Sequence, residues 1–215
     1  MRGDPHPFLG ILMVQLYKTT ELEAVNIMLS AIGEAPVSSL ENSSLEDVTV
    51  AKNILNETIV DVQTVGYNFN SEYNYKLVQD TDGHINVPVN AVYVDVSNRG
   101  SSIGKDLVLR GERLYDRENQ TYTFTESVYV DMTLILPWDE LPQYARRYIT
   151  IKAARRFQNR VLGATELNGF TQLDENEALI SMEQNDSRSE DANVLTGNWG
   201  VYRVLHRTGT RRYNQ

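Results

Sequence analysis
The sequence predicts an α+β protein: a four-helix bundle carrying an inserted antiparallel β domain, followed by an extended C-terminal arm. Three observations carry that reading. Segments within 21–65 and 137–188 repeat apolar side chains with the helical period and open on helix-start signals. Between about Tyr73 and Leu136, Tyr, Val, Thr and Ile dominate in alternation, punctuated by turn residues. After about residue 188 the chain turns polar and later Gly-containing. The order is helix, helix, β insert, helix, helix. Each amphipathic face needs a partner, so the two helix pairs close most simply into one bundle. The expected division is a flexible leader over 1–17, a helical bundle over 18–70 and 137–188, a β insert over 71–136 and an arm over 189–215.

Within the leader, the longest apolar run is Phe8 to Leu16, too short to span a bilayer. Arg2 precedes it, but no small-x-small cleavage site follows. Met13 is an alternative start, and Arg-Gly-Asp at 2–4 reads as a three-letter coincidence. Thr20 followed three residues on by Glu23 is a capping box. Leu22, Val25, Met28, Leu29 and Ile32 then hold one helix face, and Gly33 with Pro36 stops it, so the first helix is expected over Glu21–Ile32. Ser43 with Glu46 offers a second box. Val48, Ala51, Leu55, Thr58, Ile59 and Val62 carry the second helix to about Val65, roughly 30 Å long, before Gly66. Both apolar stripes read as core.

Expected strands are Tyr73–Val78, Ala91–Val96, Leu107–Arg110, Arg113–Asp116, Thr121–Thr125 and Val128–Ile135. Turns are expected at Asp80-Thr81-Asp82-Gly83 and Arg110-Gly111-Glu112, and Pro88 marks an edge or loop. Pro142 fits the first turn of a third helix that stops at Gly163. Asp174 with Glu177 starts a fourth, expected to end near Asn185.

The chain has 215 residues, 41% of them hydrophobic and 23% charged, which suffices for a substantial core. A net charge of −9 argues against a general DNA-coating or membrane-surface role. There is no cysteine, which excludes disulfides, thiolate zinc sites and cysteine nucleophiles. The three histidines, His6, His84 and His206, are far apart in sequence and do not suggest a metal site. No Gly-x-Ser-x-Gly elbow, His-Glu-x-x-His or phosphate loop occurs. Asp80-Thr81-Asp82-Gly83 resembles the start of a calcium loop. The fifth and twelfth positions would be His84 and Ala91, so that pattern fails. Paired carboxylates are the main catalytic chemistry left open, as in a polysaccharide hydrolase. Among 29 acids no pair can be nominated; Asp139 and Glu140 suit a helix start first. Tyr67, Phe69, Tyr73 and Tyr75 could stack on sugars or simply pack.

Charge is uneven along the chain. From Pro142 to Leu162 stand Arg146, Arg147, Lys152, Arg155, Arg156 and Arg160 with no acid. Lys152, Arg156 and Arg160 share one helix face, beside an apolar stripe of Tyr148, Ile151, Ala154, Phe157 and Val161. The fourth helix carries Asp174, Glu175, Glu177 and Glu183. Two readings stay open: pairing of a basic with an acidic helix across a solvated face, or a contact with another subunit, a partner ring or nucleic acid. The arm adds Arg203, His206, Arg207, Arg211 and Arg212, with no acid after Asp191. It is either a solvated tail or a segment that orders on an acidic partner.

Glu23-Ala24-Val25-Asn26 with Ile32-Gly33-Glu34-Ala35-Pro36-Val37 is similar to the opening of the tail tubular protein A family of short-tailed phages. Gly66-Tyr67-Asn68-Phe69-Asn70 resembles that family's Gly-Trp-x-Phe-Asn, with Tyr67 in place of tryptophan. Tyr115-Asp116-Arg117, Asp139-Glu140-Leu141-Pro142, Lys152-Ala153-Ala154-Arg155-Arg156-Phe157 and Asn159-Arg160-Val161-Leu162-Gly163 extend the resemblance over roughly 18–190. It implies a virion protein of the short tail, made in the host cytoplasm: a head–tail adaptor, or gatekeeper, with no cofactor, metal or membrane partner. Such proteins form a ring of about twelve subunits between the portal and the nozzle formed by tail tubular protein B, near the fibre attachment. The genome crosses the channel without sequence-specific binding. In that setting Arg146, Lys152, Arg156, Arg160, Arg203, Arg207, Arg211 and Arg212 are the candidate subunit or portal contacts.

Overall fold
A computed structural model describes residues 18–41, 46–97, 105–163 and 172–190. The described residues form a mixed helix-and-sheet structure with four α-helices and antiparallel sheets. The leader (1–17), the Ser43 capping signal and nearly all of the arm lie outside the described residues.

Helix α1 spans Glu21–Ala31. The Thr20 hydroxyl accepts from the Glu23 N–H, and the Glu23 carboxylate accepts from the Thr20 N–H, so the capping box forms as read. Helix α2 spans Glu46–Gln63, two residues shorter than expected, and the chain reverses at Gly66, whose φ is +81°. Helix α3 spans Gln143–Leu162 and ends at Gly163 in the left-handed region. Helix α4 spans Gln172–Glu190 and so outruns its expected end at Asn185. Met182 and Asp186 are buried, and those contacts hold its later turns. Helices α1, α2 and α3 pack on one another, and α4 lies along α3 and against a short 3-10 turn at Asn68–Asn70. Their core includes Met28, Leu29, Ile54, Leu55, Ile149 and Phe157, all essentially inaccessible. On α3, Ile149 and Ala153 join the core while Val161 is exposed, which rotates the expected apolar stripe.

Among the described residues five strands form two sheets: β1 (Ser71–Leu77), β2 (Ala91–Val96), β3 (Leu107–Arg110), β4 (Arg113–Asp116) and β5 (Val128–Leu134). The larger sheet has the order β1-β5-β2, antiparallel throughout. Its central strand alternates with its position: Val128, Val130 and Met132 are buried on one face, while Tyr129 and Asp131 lie on the other. Strands β3 and β4 form a hairpin around Gly111-Glu112, and Gly111 has φ +63°, as a two-residue loop opening on glycine requires. Leu77, Ile85, Leu107, Leu114, Phe124, Val128 and Val130 build a second apolar cluster between the sheets.

The expected strand Thr121–Thr125 does not form; only isolated bridges join Thr121 to Asp116 and Thr123 to His84. The Asp116 carboxylate accepts from the N–H groups of Glu118 and Asn119 and from the Asn119 side chain. That turn diverts the backbone before a ladder can run.

Candidate functional site
The basic face of α3 is described through Lys152, Arg156 and Arg160. Arg156 meets Asp61 at 2.7 Å and Arg160 meets Glu57 at 3.4 Å, both acids on α2. The Lys152 ammonium lies 3.2 Å from the Tyr148 hydroxyl. Arg155, on the other side of the helix, is ion-paired with Glu175 of α4. The acidic helix therefore binds Arg155, while Arg156 and Arg160 of the stripe turn to α2. Arg160, Glu57 and Asp61 remain more than half exposed, so the α2–α3 seam is a mixed-charge surface. Arg146 is not part of it. Its side chain is buried at 3% exposure and donates to the carbonyl oxygens of Thr19, Asp139 and Leu141. Arg146, six residues before Lys152, lies off the i, i+4 face of the stripe, and within the single chain its side chain points inward rather than toward a partner. Arg203, Arg207, Arg211 and Arg212 lie outside the described residues.

A second constellation sits where the helices meet the sheet. Gln63, fully buried at the end of α2, donates to the Leu136 carbonyl and accepts from the Leu136 N–H. Asn70 donates to the carbonyls of Gln63 and Leu134, and its side-chain oxygen accepts from the Tyr67 N–H. The carboxylate of Asp186, near the end of α4, accepts from the N–H groups of Asn68 and Phe69 and from the Tyr144 hydroxyl. Tyr67 stacks on Phe69, and Phe69 meets Tyr144 edge-on. Burial, with Tyr148, Glu183 and Asp186 adding negative charge or potential charge nearby, pushes the Tyr67 phenol up to about 12. Burial followed by Asp186 does the same for Tyr144, also to about 12. Farther away, Asn26 clamps Val37 through both backbone groups. The sequence signatures 23–26, 32–37 and 66–70 are therefore structural clamps, which explains why polar residues occupy them.

A third feature lies on the open face of the larger sheet. A cleft of ≈ 270 Å³ is lined by Val65, Gly66, Tyr73, Tyr93, Asp131 and Thr133 among others. Asp95 and Asp131 face one another across β2 and β5, and Asp131 accepts from the Asn74 N–H where β1 bulges. On the opposite edge of the insert, Asp80 accepts from the N–H groups of Asp82 and His84, and Gly83 has φ +81°. Those bonds describe the expected turn; the ligand atoms of Asp80, Asp82 and His84 fall within 4.8 Å of one another, and both aspartates are exposed.

Clamped polar side chains, mixed-charge helix faces and an open sheet leave this chain with surfaces suited to contacts with other proteins. The family model described as Tube, tail tubular protein, matches residues 22–192, and the chain belongs to that family of phage tail components. It is 29% identical over 129 residues to tail tubular protein A of Klebsiella phage KP34, a match spanning 60% of this chain and 66% of that relative, just under two thirds of its length. No helix among the described residues is long and apolar enough to cross a membrane.

Proposed function
We propose that the chain is an adaptor subunit that closes into a ring, of about twelve copies as the resemblance implies, between the portal and the tail nozzle. Membership of the tail tubular family over 22–192 is the observation that carries this reading. The division into a helical bundle (18–70 and 137–188) and a β insert (71–136) belongs to the same proposal, as do portal, nozzle and fibre contacts. A closed ring needs two different faces that complement each other. The seam of α2 and α3, with Lys152, Arg156 and Arg160 beside Glu57 and Asp61, is one candidate face. The basic residues Arg203, Arg207, Arg211 and Arg212 offer another contact. The surplus of acid elsewhere suits a channel through which DNA slides, because phosphate is held by Lys and Arg.

Native mass spectrometry of the protein, alone and mixed with its cognate portal, tests the reading. A ring of copies on each portal is expected; a monomer that ignores the portal overturns it. A charge-swapped pair sharpens the test. Arg160→Glu with Glu57→Lys keeps the ion pair inside the chain while exchanging its ends. If the seam binds a neighbour, assembly falls while thermal stability stays; unchanged assembly means the seam is only solvated.

A further inference from the structure
We propose that the cleft on the open face of the larger sheet is the seat of the chain's own C-terminal segment, residues 192–215. The cleft combines polar groups with large apolar side chains left at the surface. Val65, Tyr73 and Tyr93 are 70%, 60% and 54% exposed, and together they flank Asp131. Grouped side chains of this kind mark a surface that something covers. Both outer strands, β1 and β2, are edges of the three-stranded sheet, and β1 is exposed over most of its length. An edge offers backbone groups to an incoming extended segment.

Three observations point to the segment as occupant. The first is position. Asp186, four residues before the end of α4, binds the N–H groups of Asn68 and Phe69. Gly66 and Ser71, on either side of that turn, line the cleft. Helix α4 therefore passes the turn beside the cleft wall about one turn before its end. Nine further residues reach Trp199, a span of up to about 30 Å when extended. The second is charge. Four of the 20 basic residues and none of the 29 acids lie in 192–215, which leaves 16 bases against 29 acids, a formal −13, on the remainder. Asp95 and Asp131 give the open face two of those acids, against one base, Lys76, opposite Tyr129. The third is pattern. Trp199, Val201, Tyr202, Val204 and Leu205 surround Arg203. A segment of that pattern seated in the cleft would set aromatic and branched side chains against the tyrosines and offer a guanidinium to the aspartates.

The test uses the full chain, alone in solution, and timed trypsin cleavage after Arg203, Arg207, Arg211 and Arg212, with the fragments identified by mass. Cleavage tracks the fraction of molecules in which the segment is free, so docking is expected to slow it about tenfold or more relative to released variants. Tyr93→Ser and Asp95→Lys, each on an exposed edge-strand side chain, should release the segment with the circular dichroism spectrum unchanged; Tyr73→Ser serves if either alters the fold. Raising salt from physiological strength to about 1 M should also speed cleavage, as the attraction is screened. Equal rates in wild type and variants overturn the proposal. So does protection that grows with protein concentration, which would put a neighbouring copy's segment in the cleft. Portal binding plays no part in these readouts, so they stand or fall separately from the adaptor reading.

Discussion
Arg146 is a basic side chain whose work in this chain is internal. It belongs by sequence to a run of basic residues, yet its guanidinium holds three carbonyl oxygens around the start of α3, and Thr19 is further tied there by Gln143 and by the Trp138 indole. Arg146→Met leaves those carbonyls without their donor and should cost about 3 kcal/mol or more, read as a fall in urea midpoint at unchanged slope. Arg146→Lys should recover only part, since an ammonium cannot span three acceptors as the planar fork does. Tyr67 and Tyr144 give a second prediction. Each phenol is raised to about 12 in the fold, against an ordinary value of 10.0. An unfolded chain thus loses these protons first, and stability present below pH 10 drains away as pH rises toward 12. Tyr144→Phe should flatten that alkaline decline in a pH series of chemical denaturations; an unchanged slope would remove Tyr144 from the account. The phenols and the buried amides were not legible as such in the sequence. Gln63 meets Leu136, 73 residues away, and no local pattern announces a partner at that distance.

Among the elements, those governed by short-range rules were legible. The Thr20–Glu23 capping box, the stops at Gly33, Gly66 and Gly163, and the bounds of β2, β3 and β4 depend on neighbours within a few residues, and they stand as read. The expected strand at 121–125 had the right composition, but the Asp116 turn controls its backbone. The length of α4 was also hidden, because its last turns are held by a tertiary contact. Asp186→Ala removes the acceptor for two backbone N–H groups and the Tyr144 hydroxyl, and should destabilise by about 2–4 kcal/mol. Hydrogen exchange should quicken in α4 and at 67–70 before it does in α1. Gly66→Ala adds a Cβ at positive φ, 3.0 Å from the Thr133 hydroxyl, and should cost more than about 1 kcal/mol in thermal unfolding.

At the scale of the molecule, the helical core and the core between the sheets are separate apolar clusters. The buried amides of Gln63 and Asn70 join them where the chain leaves α2 and where it returns from β5. Calorimetry should therefore show a single transition for the wild type. Gln63→Leu, which severs both bonds to Leu136, should split it in two as the cores lose their coupling. The candidate assembly surface was legible only as charge. Sequence spacing put Lys152, Arg156 and Arg160 on one side of α3, but which acids they meet depends on how α2 lies alongside, and that packing joins Glu57 to Arg160 across 103 residues. The two chain crossings at the amide joint carry a consequence for evolution. Departure and return are adjacent, so strands and loops beyond the joint can be lengthened, shortened or exchanged between relatives with the helices left in register. Changes confined to the sheets would then alter their exposed surface while the helical core keeps its own packing.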